Sequence, residues 1–140
     1  MKYDVKKVHV FRIPEGSEML SFINDYAERK GIRMGLVFAI GSLKNPRIGY
    51  FIEEEEKYLT ISLKGSYELL SAQGNISLKD NKPFAHVHVI LGDKEGRAYG
   101  GHLIEAEVFV AEVAVVELSG NEPLKRDFTL KGLSLWSEVA

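Results

Sequence analysis

A chain of 140 residues has the length of one compact domain, so a single unit over 1–140 is expected rather than a two-domain enzyme or a multi-module regulator. Hydrophobic residues at 45% and charged residues at 27% describe an ordinary globular protein, while 18 Lys+Arg against 20 Asp+Glu leave a net charge of -2 and no uniform positive field to hold a polyanion. Cysteine is absent, which excludes disulfides, thiol nucleophiles and thiolate metal ligands, so a metal would have to rest on His or carboxylate.

The opening MKYDVKKVHVFRIPEG has no apolar signal core. No stretch approaches the roughly 18 apolar residues of a membrane span. A cytoplasmic location without a membrane partner is the expectation. Val8 to Ile13 reads as a strand that ends at Pro14-Glu15-Gly16. Ser17 then supplies an N-cap, and Met19, Leu20, Ile23, Tyr26 and Ala27 recur at helical spacing. Arg29 and Lys30 suit the negative end of that helix, and Gly31 is placed to stop it. One long helix over 18–30 follows.

Beyond Gly31 the pattern becomes strand-like. Ile32 to Ile40 is nearly continuous in apolar residues, and Gly41-Ser42 with Lys44-Asn45-Pro46 breaks it. Arg47–Ile52, Tyr58–Leu63, Ser66–Leu78, Phe84–Leu91, Arg97–Leu103, Glu107–Leu118 and Asp127–Trp136 each read as strand. The stretch after His102, as far as Val110, also admits a short second helix. The fold class is α+β: a mainly antiparallel sheet with one long flanking helix. The acidic run Glu53 to Glu56 reads as a solvated turn.

The stretch from Phe84 to His102 carries the chemistry. In a strand, His86 and His88 project from one face. Asp93-Lys94-Glu95-Gly96-Arg97 fits a three-residue hairpin loop whose left-handed position falls on Gly96, which pairs Asp93 with Arg97. Counting back from that pair sets His88 opposite His102, with His86 on the diagonal. Opposed Cβ atoms lie about 4.5–5.5 Å apart and diagonal ones roughly 7–8 Å. A loop one residue shorter would send His102 to the other face.

Three convergent imidazoles are what a three-nitrogen Zn²⁺ site requires, and another divalent transition metal (nickel, iron or copper) would also be held. Gly100 and Gly101 leave room there for a ligand or for another backbone. Glu105 or Glu107 could serve as fourth ligand or as acceptor for a ligating ring. His9, far away in sequence, reads as a surface or satisfied histidine.

Gly65-Ser66-Tyr67-Glu68-Leu69-Leu70-Ser71, Gly74-Asn75-Ile76-Ser77, Pro83-Phe84-Ala85-His86-Val87-His88, Gly100-Gly101-His102-Leu103 and the apolar run Glu112 to Leu118 together resemble the PPC domain, the plants-and-prokaryotes conserved domain. The resemblance spans about Val8 to Leu118. It implies a stand-alone prokaryotic homotrimer with the histidine cluster as its metal site. It also implies a link to DNA, to a DNA-associated protein or to transcriptional regulation, since plant members join this domain to AT-hooks and use a Gly-Arg-Phe-Glu-Ile-Leu hexapeptide for partner contact. Ser66, Tyr67 and Leu69 depart from that hexapeptide, and Asn45-Pro46-Arg47-Ile48 lacks an AT-hook core.

A homotrimer is also suggested by Val108, Phe109, Val110, Val113 and Val115, more apolar surface than one helix hides. The functional expectation is a homotrimeric metal- or small-ligand-binding module. The alternative is a metal-dependent hydrolase or lyase, with Glu68, Glu105 and Tyr99 as candidates for proton transfer. Direct DNA binding is a third reading, disfavoured by the net charge and by dispersed basic residues.

Overall fold

The structure is a computed structural model describing residues 1–140. In chain order it comprises β1 (Asp4–Ile13), α1 (Met19–Lys30), β2 (Gly35–Ile52), a 3₁₀ turn (Glu53–Glu55), β3 (Lys57–Ser62), β4 (Ser66–Lys79), β5 (Lys82–Gly92), β6 (Ala98–Ser119), β7 (Phe128–Leu130) and β8 (Leu133–Leu135). The main sheet is antiparallel in every pairing between its strands and runs β1-β6-β5-β4-β2-β3, with a further β6–β2 pairing. That extra pairing closes β2, β4, β5 and β6 into a ring. The α+β class is as the sequence predicts.

The helix begins one residue later than predicted, and its cap is Glu18 rather than Ser17. The Glu18 carboxylate accepts hydrogen bonds from the backbone of Leu20 and Ser21 at 3.2 and 2.7 Å and from Ala106 at 3.2 Å. Ser17 is occupied otherwise, its carbonyl accepting from Val108 N at 2.9 Å. Gly31 ends the helix in the left-handed region at φ 68°. Met19, Ile23 and Ala27 are buried against β5 and β6. Asn24 fastens the helix to the sheet by accepting from Ala85 N at 2.8 Å.

Two long strands replace four predicted short ones. Gly41-Ser42 and Lys44-Asn45-Pro46 do not end β2; they are register shifts inside it, with Asn45 at φ 47°. The short helix admitted after His102 is absent. Residues 102–108 pair along β2 from Gly49 to Leu43, and a helix there would strip β2 of those partners. Asp127–Trp136 is not one strand but the small hairpin β7–β8, turned at Lys131-Gly132 with both φ positive, at 49° and 81°. A two-residue loop of that hand matches the twist of the flanking strands.

The helix covers one sheet face, over a core that includes Val37, Val87, Leu91, Val108, Val113 and Val115. The opposite face is covered over part of β4 and β5 by the C-terminal segment and is otherwise open. Val108, Val113 and Val115 are therefore core, whereas Phe109 and Val110 remain exposed with Val10, Phe38 and Ile40. Val10, Phe38 and Ile40 line one shallow apolar groove on that open face. No helix is long and apolar enough to cross a membrane.

Candidate metal centre

The hairpin between β5 and β6 forms as the loop chemistry dictates. Asp93 N donates to Arg97 O at 2.9 Å, and Gly96 at φ 79° donates to Asp93 O at 3.0 Å. Asp93 Oδ1 accepts from Arg97 N at 2.9 Å as well, and Oδ2 accepts from Arg97 Nε at 2.9 Å. His88 is consequently registered with His102. Ala85, Val87 and Val89 face the core, so His86 and His88 face away from the helix.

The three rings meet. Centroid separations are 5.0 Å for His86–His88, 5.1 Å for His86–His102 and 5.6 Å for His88–His102. One nitrogen from each ring lies within 4.8 Å of the others. His86 Nε2 and His88 Nε2 are 3.2 Å apart. Two nitrogens each bonded at about 2.0–2.1 Å to a tetrahedral ion stand about 3.3 Å apart, so this pair already has the required spacing. His102 Nδ1 is buried without a hydrogen-bond partner, and an unsatisfied imidazole nitrogen among two others fits a metal ion.

Burial, reinforced by Arg126 and the two neighbouring rings, holds His86 down at about 4. Burial, then His88 and Arg126, also lowers His102. Both rings are neutral at pH 7, the form that donates a lone pair to a metal.

Sequence reasoning missed the surroundings of these rings. A pocket of about 430 Å³ is lined by the three histidines with Tyr58, Lys79, Phe84, Arg126, Gly132 and Leu133 to Leu135. Tyr58 stacks on His102 at 5.0 Å. It reaches across β2 because position 49 is glycine; a Cβ there would lie 2.8 Å from the Tyr58 ring. Arg126 Nη2 donates to Asn75 Oδ1 at 2.7 Å and meets His86 Nδ1 at 3.3 Å. A guanidinium has no acceptor, so in the metal-free chain Nδ1 accepts and Nε2 carries the ring proton; a metal on Nε2 would shift that proton to Nδ1 and break this contact. No periodicity or motif marks Arg126, and only the fold-back of the C-terminal segment brings it here.

The other candidates lie elsewhere. Glu105 pairs with Arg47 at 2.8 Å and shares a separate depression with Glu107. Tyr99 donates to Asp93 at 3.3 Å, and Glu68 is exposed near the hairpin end, opposite Gly92. Gly101 accommodates backbone rather than ligand, since a Cβ there would lie 2.8 Å from Gly49 O. His9 is satisfied: its nitrogens contact Glu117 at 2.9 Å and Tyr26 at 3.2 Å.

The family model of the Plants and Prokaryotes Conserved (PCC) domain matches residues 2–119. A plant- and prokaryote-conserved (PPC) protein from Pyrococcus horikoshii is 50% identical, with a TM-score of 0.96 over 99% of this chain and 96% of its own. A metal-containing protein from Archaeoglobus fulgidus is 42% identical, with a TM-score of 0.92 over 98% of this chain and 97% of its own. A Bacteroides thetaiotaomicron protein named for DNA binding shares the fold at 24% identity and a TM-score of 0.85, over 96% of each chain. Among curated proteins there is no significant match. From β1 through β6 the match is continuous, and the chain belongs to the plants and prokaryotes conserved domain family.

Proposed function

We propose that this protein is a homotrimeric metal-binding module, in which His86, His88 and His102 hold zinc or another divalent transition metal and leave a coordination position open to a small ligand. The observation that carries the reading is the convergence of one nitrogen from each of three imidazoles, on one of which, His102, Nδ1 is buried and unsatisfied. The metal-containing Archaeoglobus fulgidus relative supports it. A metal held by three neutral imidazoles supplies Lewis acidity at its open position. The chain's own part is to keep His86 and His102 neutral, to orient His102 with Tyr58 and to wall the pocket with the C-terminal hairpin.

Binding is favoured over hydrolysis or lyase chemistry because no carboxylate lines the pocket to accept a proton. Self-association is supported by the open apolar face around Val10, Phe38 and Ile40. A role beside DNA or a DNA-associated protein is suggested by the family resemblance and by the names of distant neighbours, and the net charge of -2 speaks against direct contact.

Elemental analysis of protein purified without added metal tests the reading. About one metal per chain, lost in His88→Ala, is expected; less than about 0.2 per chain in both would refute it. Absence of retardation of duplex DNA at low salt is also expected.

A further inference from the structure

The pocket beside the histidines carries two cations and no acid. Lys79 and Arg126 both line it, and neither makes an ion pair anywhere in the chain. Arg47 is paired with Glu105 at 2.8 Å and Arg97 with Asp93 at 2.9 Å, and the arginines without an ion pair, Arg12, Arg29 and Arg33, are exposed to water as Arg126 is not. Arg126 is half-buried between Phe84 and Trp136, with its guanidinium carbon 5.7 and 5.5 Å from the ring centres. A guanidinium withdrawn from water without a counter-ion is costly, and a bound anion would offset that cost.

The arginine is held ready rather than left loose. Its backbone N donates to Leu78 O at 2.7 Å, Nη1 donates to Ser134 O at 3.1 Å and Nη2 donates to Asn75 at 2.7 Å. Nε is buried and has no partner, and Nη1, which makes one bond of the two it can donate, keeps donor capacity uncommitted. Phe84, Leu133 and Leu135 add apolar wall. Cationic groups with apolar surface around one cavity match an organic anion better than an inorganic one.

Arg126, Leu133, Ser134 and Leu135 all lie beyond residue 119, where the family match ends. The wall facing the histidines is thus carried by a segment outside the family model, although the Pyrococcus horikoshii and Archaeoglobus fulgidus relatives span it.

We propose that the pocket takes a small carboxylate with a short apolar body, its anionic head shared between the three-histidine metal centre and the cationic pair Arg126 and Lys79, and that the segment 126–135 sets ligand specificity. This rests on the metal reading above.

Cobalt(II)-loaded protein tests it, because visible absorption reports ligation directly and needs no assay of activity. Propionate, inorganic phosphate and neutral propionamide serve as probes. Saturable spectral change with propionate is expected, with weaker binding of phosphate and none of propionamide. Arg126→Gln should raise the propionate Kd about tenfold or more and Lys79→Gln about threefold, with cobalt stoichiometry unchanged.

Propionamide binding as tightly as propionate, phosphate binding more tightly, or a Kd within about twofold of wild type in both variants would overturn the proposal while leaving the metal centre standing. Failure of the wild-type protein to take up cobalt would overturn the metal reading and this one together. Should Arg126→Gln not fold, Lys79→Gln decides alone, since its side chain makes no hydrogen bond or ion pair in the fold.

Discussion

His88 and His102 face one another as registered partners across β5 and β6, their ring centres 5.6 Å apart, and the loop that sets this register turns at Gly96 with φ 79°. Deleting Gly96 would shorten the loop by one residue and move His102 to the core face. Metal content should fall from about one per chain to below about 0.2 while the far-ultraviolet circular dichroism keeps its strand signature. Undiminished metal in a folded deletion variant would show that the turn does not set the site.

His88 is the exposed member of the trio. His88→Ala should therefore abolish stoichiometric metal while changing metal-free unfolding free energy by no more than about 0.5 kcal/mol. Urea denaturation after chelation measures the second quantity, and a large loss would mean that the ring has a packing role.

Acid should weaken the metal-free fold through His86. Its folded value of about 4 lies below the ordinary 6.5 because of burial first, then Arg126, His102 and His88. Between those two values the unfolded chain binds a proton that the folded one refuses, so stability is intact above pH 6.5 and declines as pH falls toward 4. Allowing for solvent screening of a half-buried ring, the decline owed to His86 is about 1–2 kcal/mol. Urea titrations of wild type and His86→Asn across this window should differ by that amount; parallel curves would contradict it.

The open apolar face should hold the subunits together. Phe38 is 45% exposed and Ile40 56% exposed on that face. Phe38→Asp should convert a particle of three chains into a single chain by light scattering, with circular dichroism unchanged. A variant that retains the mass of the wild-type particle would place the interface elsewhere.

Glu18 joins the start of α1 to β6 through three backbone N–H groups, those of Leu20, Ser21 and Ala106. Glu18→Ala leaves them without this acceptor and should cost about 1–2 kcal/mol in thermal or urea unfolding. A loss below about 0.3 kcal/mol would mean that water replaces the carboxylate without penalty.

Local chemistry was enough for much of this protein. The period of Met19, Ile23 and Ala27 with Gly31 after it marks the helix, because capping and amphipathic burial act over a few residues. The face shared by His86, His88 and His102 follows from strand alternation and one glycine turn, and both are short-range constraints.

What depended on distant pairing was out of reach. Gly41-Ser42 and Asn45-Pro46 look like strand ends until β4 and β6 are present to carry the register shifts across them. The stretch after His102 is ambiguous until β2 claims its hydrogen bonds. Arg126 comes beside a ring 40 residues earlier only because the C-terminal segment pairs at Leu78, Trp136 donates to Ser77 and Lys131 reaches Glu53. Residue spacing along a strand determines which histidines can meet; long-range backbone pairing decides what meets them, because those contacts join residues with no local relation in the chain.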